Sequence, residues 1–205
     1  MPDPKPDLPK LDHHPSFLGP RFEQALIYAT QKHSGQTRKS TGIPYIAHLL
    51  SVAALVLEAG GDEDQAIAAL LHDVVEDCGG APVLADIRTR FGDRVAHIVD
   101  SCTDTDQFPK PPWRDRKDRY LRHLRQASED VRLVSVADKL HNVRSILADY
   151  RRIGDAVWER FAGRREGTLW YYRALLDIFL QGPSNRLVEE LQRTVLELER
   201  LVQRP

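Results

Sequence analysis

The chain has 205 residues, 41% of them hydrophobic, enough for one domain with a full core. Its 29 Lys and Arg against 30 Asp and Glu leave a net charge of −1, and the basic residues are dispersed, so nothing points to duplex nucleic acid or an anionic membrane as partner. Cys78 and Cys102 form no CxxC or multi-bridge pattern, and the longest apolar stretch, around Leu49 to Leu57, is too short to span a bilayer; free thiols in a soluble, cytoplasmic protein are expected.

Residues 1–19 carry repeated prolines and mixed charges and read as a flexible N-terminal tail, with His13 and His14 as a plain surface pair. From Phe22 to His33 apolar positions recur at helical spacing, and the following SGQTRKSTGIP reads as a loop. Pro44 suits the first turn of a second helix, which runs through His48 to Gly60 and Gly61. From Gly61 to Gly80 the pattern predicts one helix, opened by Asp62 and Gln65 as a capping pair. Pro82 opens a fourth helix containing Leu84, Ile87 and Phe91, and Gly92 separates it from a short one through Val95, Ile98 and Val99.

Thr103 to Arg114 contains three prolines and reads as a long loop of the kind found over sites. Tyr120, Leu121 and Leu124 mark the next helix, and Val131 to about Ile153 a central buried one. Two more follow: Trp158 to Leu180, with a break expected at Gly163 or Gly167, and Ser184 to Leu201. No β-run or internal repeat stands out. The fold predicted is all-α and single-domain, with a core over residues 20–153 and a C-terminal helical extension, 154–205, packed on it.

Two segments place metal-ligand chemistry inside these buried helices: His72-Asp73-Val74-Val75-Glu76-Asp77 and Asp138-Lys139-Leu140-His141-Asn142. Asp138 follows the apolar run 131–137, and a buried carboxylate needs an Arg, a Lys or a metal as partner. His48, His72, Asp73 and Asp138 together make a mixed N/O set that suits one first-row divalent ion with positions left open, whereas structural zinc usually recruits thiolates. Glu76 and Asp77, one turn past His72 and Asp73, are placed to orient a water and take its proton. Arg38 and Lys39, among glycines and hydroxyls, offer charge for a phosphorylated ligand, and Arg38 can stack on a purine. Tyr45, one turn from His48, is a second stacking candidate. Lys139 and Arg144 are further cations, each equally suited to an ion pair.

The stretches HSGQTRKSTGIPYIAHLLSVA, AALLHDVVED, FGDRVAHIVDSCT and SVADKLHNVRSI, in that order, resemble the HD-domain alarmone hydrolases: the hydrolase half of bifunctional RelA/SpoT enzymes and the stand-alone, Mesh1-like small alarmone hydrolases. The resemblance implies an HD-type helical bundle in which His48, His72, Asp73 and Asp138 hold one ion, typically Mn2+, and Glu76 with Asp77 activate water. It further implies that Arg38 stacks on the base, while Lys39, Tyr45, Asn142 and Ser145 contact the sugar or phosphates. The implied reaction removes the 3′-pyrophosphate of (p)ppGpp. Leu49 stands where the family commonly has Pro, and Asp104 where it has Lys. Two other functions remain open to the sequence: an HD phosphohydrolase for another nucleotide, such as a 5′-nucleotidase or NADPH phosphatase, and a non-catalytic nucleotide-binding regulatory module.

Overall fold

The computed structural model describes residues 18–203 apart from Ser40, Phe108 and Ser184; all but the last two positions of the expected tail lie outside them. The elements in order are α1 (Pro20–Lys32), α2 (Ile46–Glu58), α3 (Glu63–Leu71), α4 (Val74–Cys78), α5 (Ala81–Phe91), α6 (Asp93–Cys102), α7 (Trp113–Arg125), α8 (Glu129–Ile153), a 3-10 segment (Gly154–Arg160), α9 (Arg164–Phe179) and α10 (Arg186–Val202). Among the described residues there is no strand, only an isolated antiparallel bridge between Thr37 and Pro44. The all-α reading holds. No helix of the described residues is long and apolar enough to cross a membrane.

The longest helix, α8, forms the axis of the bundle, with α2, α3, α6 and α10 packed around it. Helices on several sides explain why Val131 through Asp138 are mostly buried and why an apolar run, not a simple amphipathic stripe, encodes this stretch. Caps set the helix ends. Asp62 accepts from the Gln65 backbone while the Gln65 side chain accepts from the Asp62 N–H, a complete capping box. Ser128 accepts from Val131 N–H at the start of α8, and Asn185 from Val188 N–H at the start of α10.

Several predicted boundaries change. The single helix expected between Gly61 and Gly80 is two, α3 and α4, with the chain turning at His72 and Asp73. Pro44 lies outside α2, because residues 36–45 fold back on themselves: Arg38 N–H donates to the Ile43 carbonyl and Tyr45 N–H to the Gln36 carbonyl. Gly42, at φ 70°, supplies the left-handed turn this requires. The proline-rich loop ends at Pro112, since Trp113 already begins α7. The helix expected from Trp158 to Leu180 is a 3-10 segment followed by α9, with the break on the Gly163 side and Gly167 inside α9. Both glycines have a packing reason: a Cβ would lie 2.7 Å from the Trp113 ring at Gly163 and 3.0 Å at Gly167.

Leu140 is fully buried on α8, between Lys139 and His141. Leu140→Ala is expected to lower unfolding free energy by about 2–5 kcal/mol, measured as a reduced urea midpoint at unchanged slope.

Candidate metal centre and active site

His48 sits in the first turn of α2, His72 and Asp73 in the break between α3 and α4, and Asp138 midway along α8. The fold brings the four together. His48 Nε2 lies 3.5 Å from Asp73 Oδ2 and 3.3 Å from Asp138 Oδ1; His72 Nε2 lies 3.1 Å and 3.6 Å from the same two oxygens. One ligand atom each from His48, His72 and Asp138 fall within 4.8 Å of one another, a donor set able to hold a metal ion, and Asp73 faces the same two rings.

The hydrogen bonds around the rings fix which nitrogen is free. His72 Nδ1 lies 2.8 Å from the Ala69 carbonyl, which can only accept, so Nδ1 carries the proton and a neutral His72 turns the Nε2 lone pair into the cluster. His48 Nδ1 lies 2.8 Å from His141 Nδ1. Burial pushes His141 down to about 4, so at neutral pH it is uncharged and can accept from the His48 Nδ1–H. That leaves His48 Nε2 as the second lone pair. Both Nε2 atoms are buried and have no hydrogen-bond partner. A buried nitrogen without a partner is costly, and two aimed at one point between carboxylates fit a divalent ion.

The electrostatics agree. Burial pushes the Asp73 carboxyl up, but the His72 charge and the adjacent imidazoles hold it well below the usual carboxylate range. Burial likewise raises Asp138, and the Lys139 ammonium with His48 and His72 outweighs it. His72 is pushed down by burial and up, on balance, by Asp73 and Asp138. Positive charge is strongly favoured where these groups meet.

Supporting side chains surround the cluster. Tyr45 OH donates to Asp73 Oδ2 at 2.6 Å; burial and the Asp73 charge raise its phenol far above the usual range, so it stays a donor. Lys139 Nζ donates to Asp138 Oδ2 at 2.6 Å, and Asn142 Nδ2 donates to Asp138 Oδ1. Arg38 donates to Asn142 Oδ1 at 2.8 Å, which ties the basic loop to the ligand helix, and its guanidinium lies 5.9 Å from the Tyr45 ring centroid. Lys39 is exposed. Ser145 is not brought into this network: its hydroxyl donates to the His141 carbonyl of its own helix, at 3.0 Å. Arg144 turns away to pair with Glu190 on α10.

Glu76 and Asp77 lie on α4, each held from a different side. Glu76 accepts from Lys110 Nζ at 2.7 Å and from Asp104 N–H at 3.3 Å. Asp77 Oδ2 accepts from Gln36 Nε2 at 2.8 Å. Asp104 itself is ion-paired to Arg116 and to Lys117 on α7, so its negative charge is compensated. His141 and Gln36 stand inside the quoted motifs, yet sequence reasoning gave them no role. Their roles rest on partners 93 and 41 residues away, and spacing carries no signal of such pairing.

An HD-domain model matches residues 25–169. Over 126 residues the chain is 39% identical to the guanosine-3′,5′-bis(diphosphate) 3′-pyrophosphohydrolase MESH1 of Xenopus tropicalis, spanning 60% of this chain and 68% of that protein. Over 142 residues it is 36% identical to the guanosine-3′,5′-bis(diphosphate) 3′-pyrophosphohydrolase of Aquifex aeolicus, spanning 68% of this chain but only 20% of that one. With the bifunctional (p)ppGpp synthase/hydrolase SpoT of Escherichia coli it shares 36% identity over 132 residues, 62% of this chain and 18% of SpoT. The chain thus spans about a fifth of the length of these bacterial relatives. Its fold superposes on a solved metazoan SpoT ortholog that hydrolyses ppGpp, with a TM-score of 0.75 at 26% identity over 89% of this chain and 97% of the other. The chain belongs to the HD-domain family, and its relatives in sequence and fold include guanosine-3′,5′-bis(diphosphate) 3′-pyrophosphohydrolases.

Proposed function

We propose that the chain is a divalent-metal-dependent pyrophosphohydrolase that removes the 3′-pyrophosphate from (p)ppGpp. The observation that carries this reading is the pair of buried, unpartnered Nε2 atoms of His48 and His72 facing the carboxylates of Asp73 and Asp138. The names of the sequence relatives and of the solved SpoT ortholog support the substrate. His48, His72, Asp73 and Asp138 would hold one ion; nitrogen and carboxylate donors without thiolate suit a first-row divalent ion, and the resemblance to the alarmone hydrolases leads us to assign it as Mn2+.

Such an ion would supply Lewis acidity, polarising a phosphoryl oxygen and making water more acidic. Arg38 stacks on the guanine, and Lys39, Tyr45, Asn142 and Ser145 contact sugar or phosphates. Glu76 and Asp77, one turn beyond His72 and Asp73, orient the attacking water and take its proton. The water oxygen bonds to the phosphorus carried by the ribose 3′ oxygen, that P–O bond breaks, and the 3′ oxygen leaves with a proton. GDP or GTP and pyrophosphate result. The hydrogen bond from Arg38 to Asn142 favours this over a 5′-nucleotidase, since it directs the basic loop toward the ligand helix.

The test is a panel of ppGpp, ppApp, NADPH, dNTPs and nucleoside monophosphates incubated with the Mn2+-supplemented protein, with pyrophosphate and phosphate measured separately. Pyrophosphate from ppGpp, reduced at least about 100-fold in Asp73→Ala, is the expected outcome. Phosphate released from monophosphates or NADPH would overturn it.

His141 holds His48 from behind, in the position of a group that orients a ligand. His141→Ala is therefore expected to weaken Mn2+ binding about 10–100-fold, and His72→Ala to weaken it more, both measured by titration calorimetry.

A further inference from the structure

His33 closes α1 and is almost entirely buried, with 4% of its surface exposed. It touches both carboxylate arms of the site through one intermediary each. On one side its Nδ1 lies 2.7 Å from Gln36 Oε1, and Gln36 Nε2 lies 2.8 Å from Asp77 Oδ2. On the other its ring stacks on Tyr45, centroids 4.9 Å apart and planes within 20°, and the Tyr45 hydroxyl donates to Asp73.

The direction of the first chain follows from chemistry. An ionised carboxylate only accepts, so Gln36 must present its NH2 to Asp77 and its carbonyl oxygen to His33. His33 must then carry its proton on Nδ1, which leaves the buried Nε2 as a lone pair; that atom has no partner. Asp77 is otherwise exposed on a five-residue helix, and a side chain there is free to rotate unless something outside α4 holds it.

We propose that His33 and Gln36 form a positioning relay that fixes the orientation of the Asp77 carboxylate, with His33 setting the orientation of the Gln36 amide. The proposal rests on the reading of Asp77 as an acid that handles the water; neither residue touches substrate or ion. A relay of this kind predicts a loss in kcat with little change in KM or metal affinity, since the water is misplaced while the phosphate and ligand contacts stay intact.

Gln36→Leu keeps the size and removes the amide, and is expected to lower kcat on ppGpp about tenfold, with KM and the Mn2+ dissociation constant within twofold of wild type. His33→Asn retains an N–H donor near the Nδ1 position and should keep most of the activity that His33→Leu loses. An unchanged kcat in Gln36→Leu, or equal damage in His33→Asn and His33→Leu at equal thermal stability, would overturn the relay. Side-chain 15N NMR of the wild-type protein gives a readout that needs no turnover. His33 as the Nδ1–H tautomer, shifting in Gln36→Leu, supports the relay even if ppGpp proves not to be a substrate; an Nε2–H tautomer refutes it even if ppGpp is cleaved.

Discussion

Two imidazole lone pairs, the buried carboxylate of Asp138 and the half-buried one of Asp73 meet where α2, α8 and the break between α3 and α4 pack together, and the rest of the site is arranged around them. The carboxylates of Asp73 and Asp138 face one ammonium, that of Lys139, so when both imidazoles turn their lone pairs to an ion the protein groups alone carry one uncompensated negative charge. Burying such a charge in a helical core is expensive. A dication reverses the sign to a net positive charge, which suits a polyphosphate. Lys139 is thus a partial counter-ion: it steadies Asp138 through one oxygen, Oδ2, and leaves Oδ1 directed at the imidazoles.

The local structure bends to serve this cluster. On a continuous helix neighbouring side chains diverge by about 100°, and His72 and Asp73 would struggle to face one point. Ending α3 at Leu71 and restarting at Val74 brings His72 Nε2 and Asp73 Oδ2 to 3.1 Å. Asp73 takes the cap position of α4 without bonding its N–H groups, although Asp is among the best capping residues and such a cap is worth about 1 kcal/mol. Its oxygens are committed to Tyr45 and the imidazoles instead. Away from the site, Asp62, Ser128 and Asn185 do cap their helices, so the forgone cap marks where function displaces local stability.

This contrast also explains what could be read from the sequence. Caps, glycine and proline punctuation, and 3.6-residue periodicity are local signals, and they located α1, α8 and α10 to within about two residues. The break at 72–73 left no such mark: neither residue is a helix breaker, and the turn there is imposed by the tertiary contacts of His48, Tyr45 and Asp138. Convergence of the four metal-type residues was legible because residue chemistry and burial both pointed to it. The second layer was not. His141 and Gln36 act through hydrogen bonds, and Arg144, read as a possible site cation, is taken by Glu190 because α10 packs on that face of α8.

The proline-rich loop is bound to the site more tightly than its composition suggests. Arg116 grips both of its ends, pairing with Asp104 near the start and donating to the Pro111 carbonyl at 3.1 Å near the finish. Between them Lys110, flanked by prolines, reaches Glu76. The two acids of α4 are therefore restrained in different ways. Glu76 is held by a cation from a surface loop, a charge that opposes protonation of that carboxylate. Asp77 is held by a neutral amide backed by a buried ring, a contact that can persist through such a step. In the proposed reaction Asp77 is thus the acid supported by a neutral group, and Glu76 the one whose charge is shared with the loop.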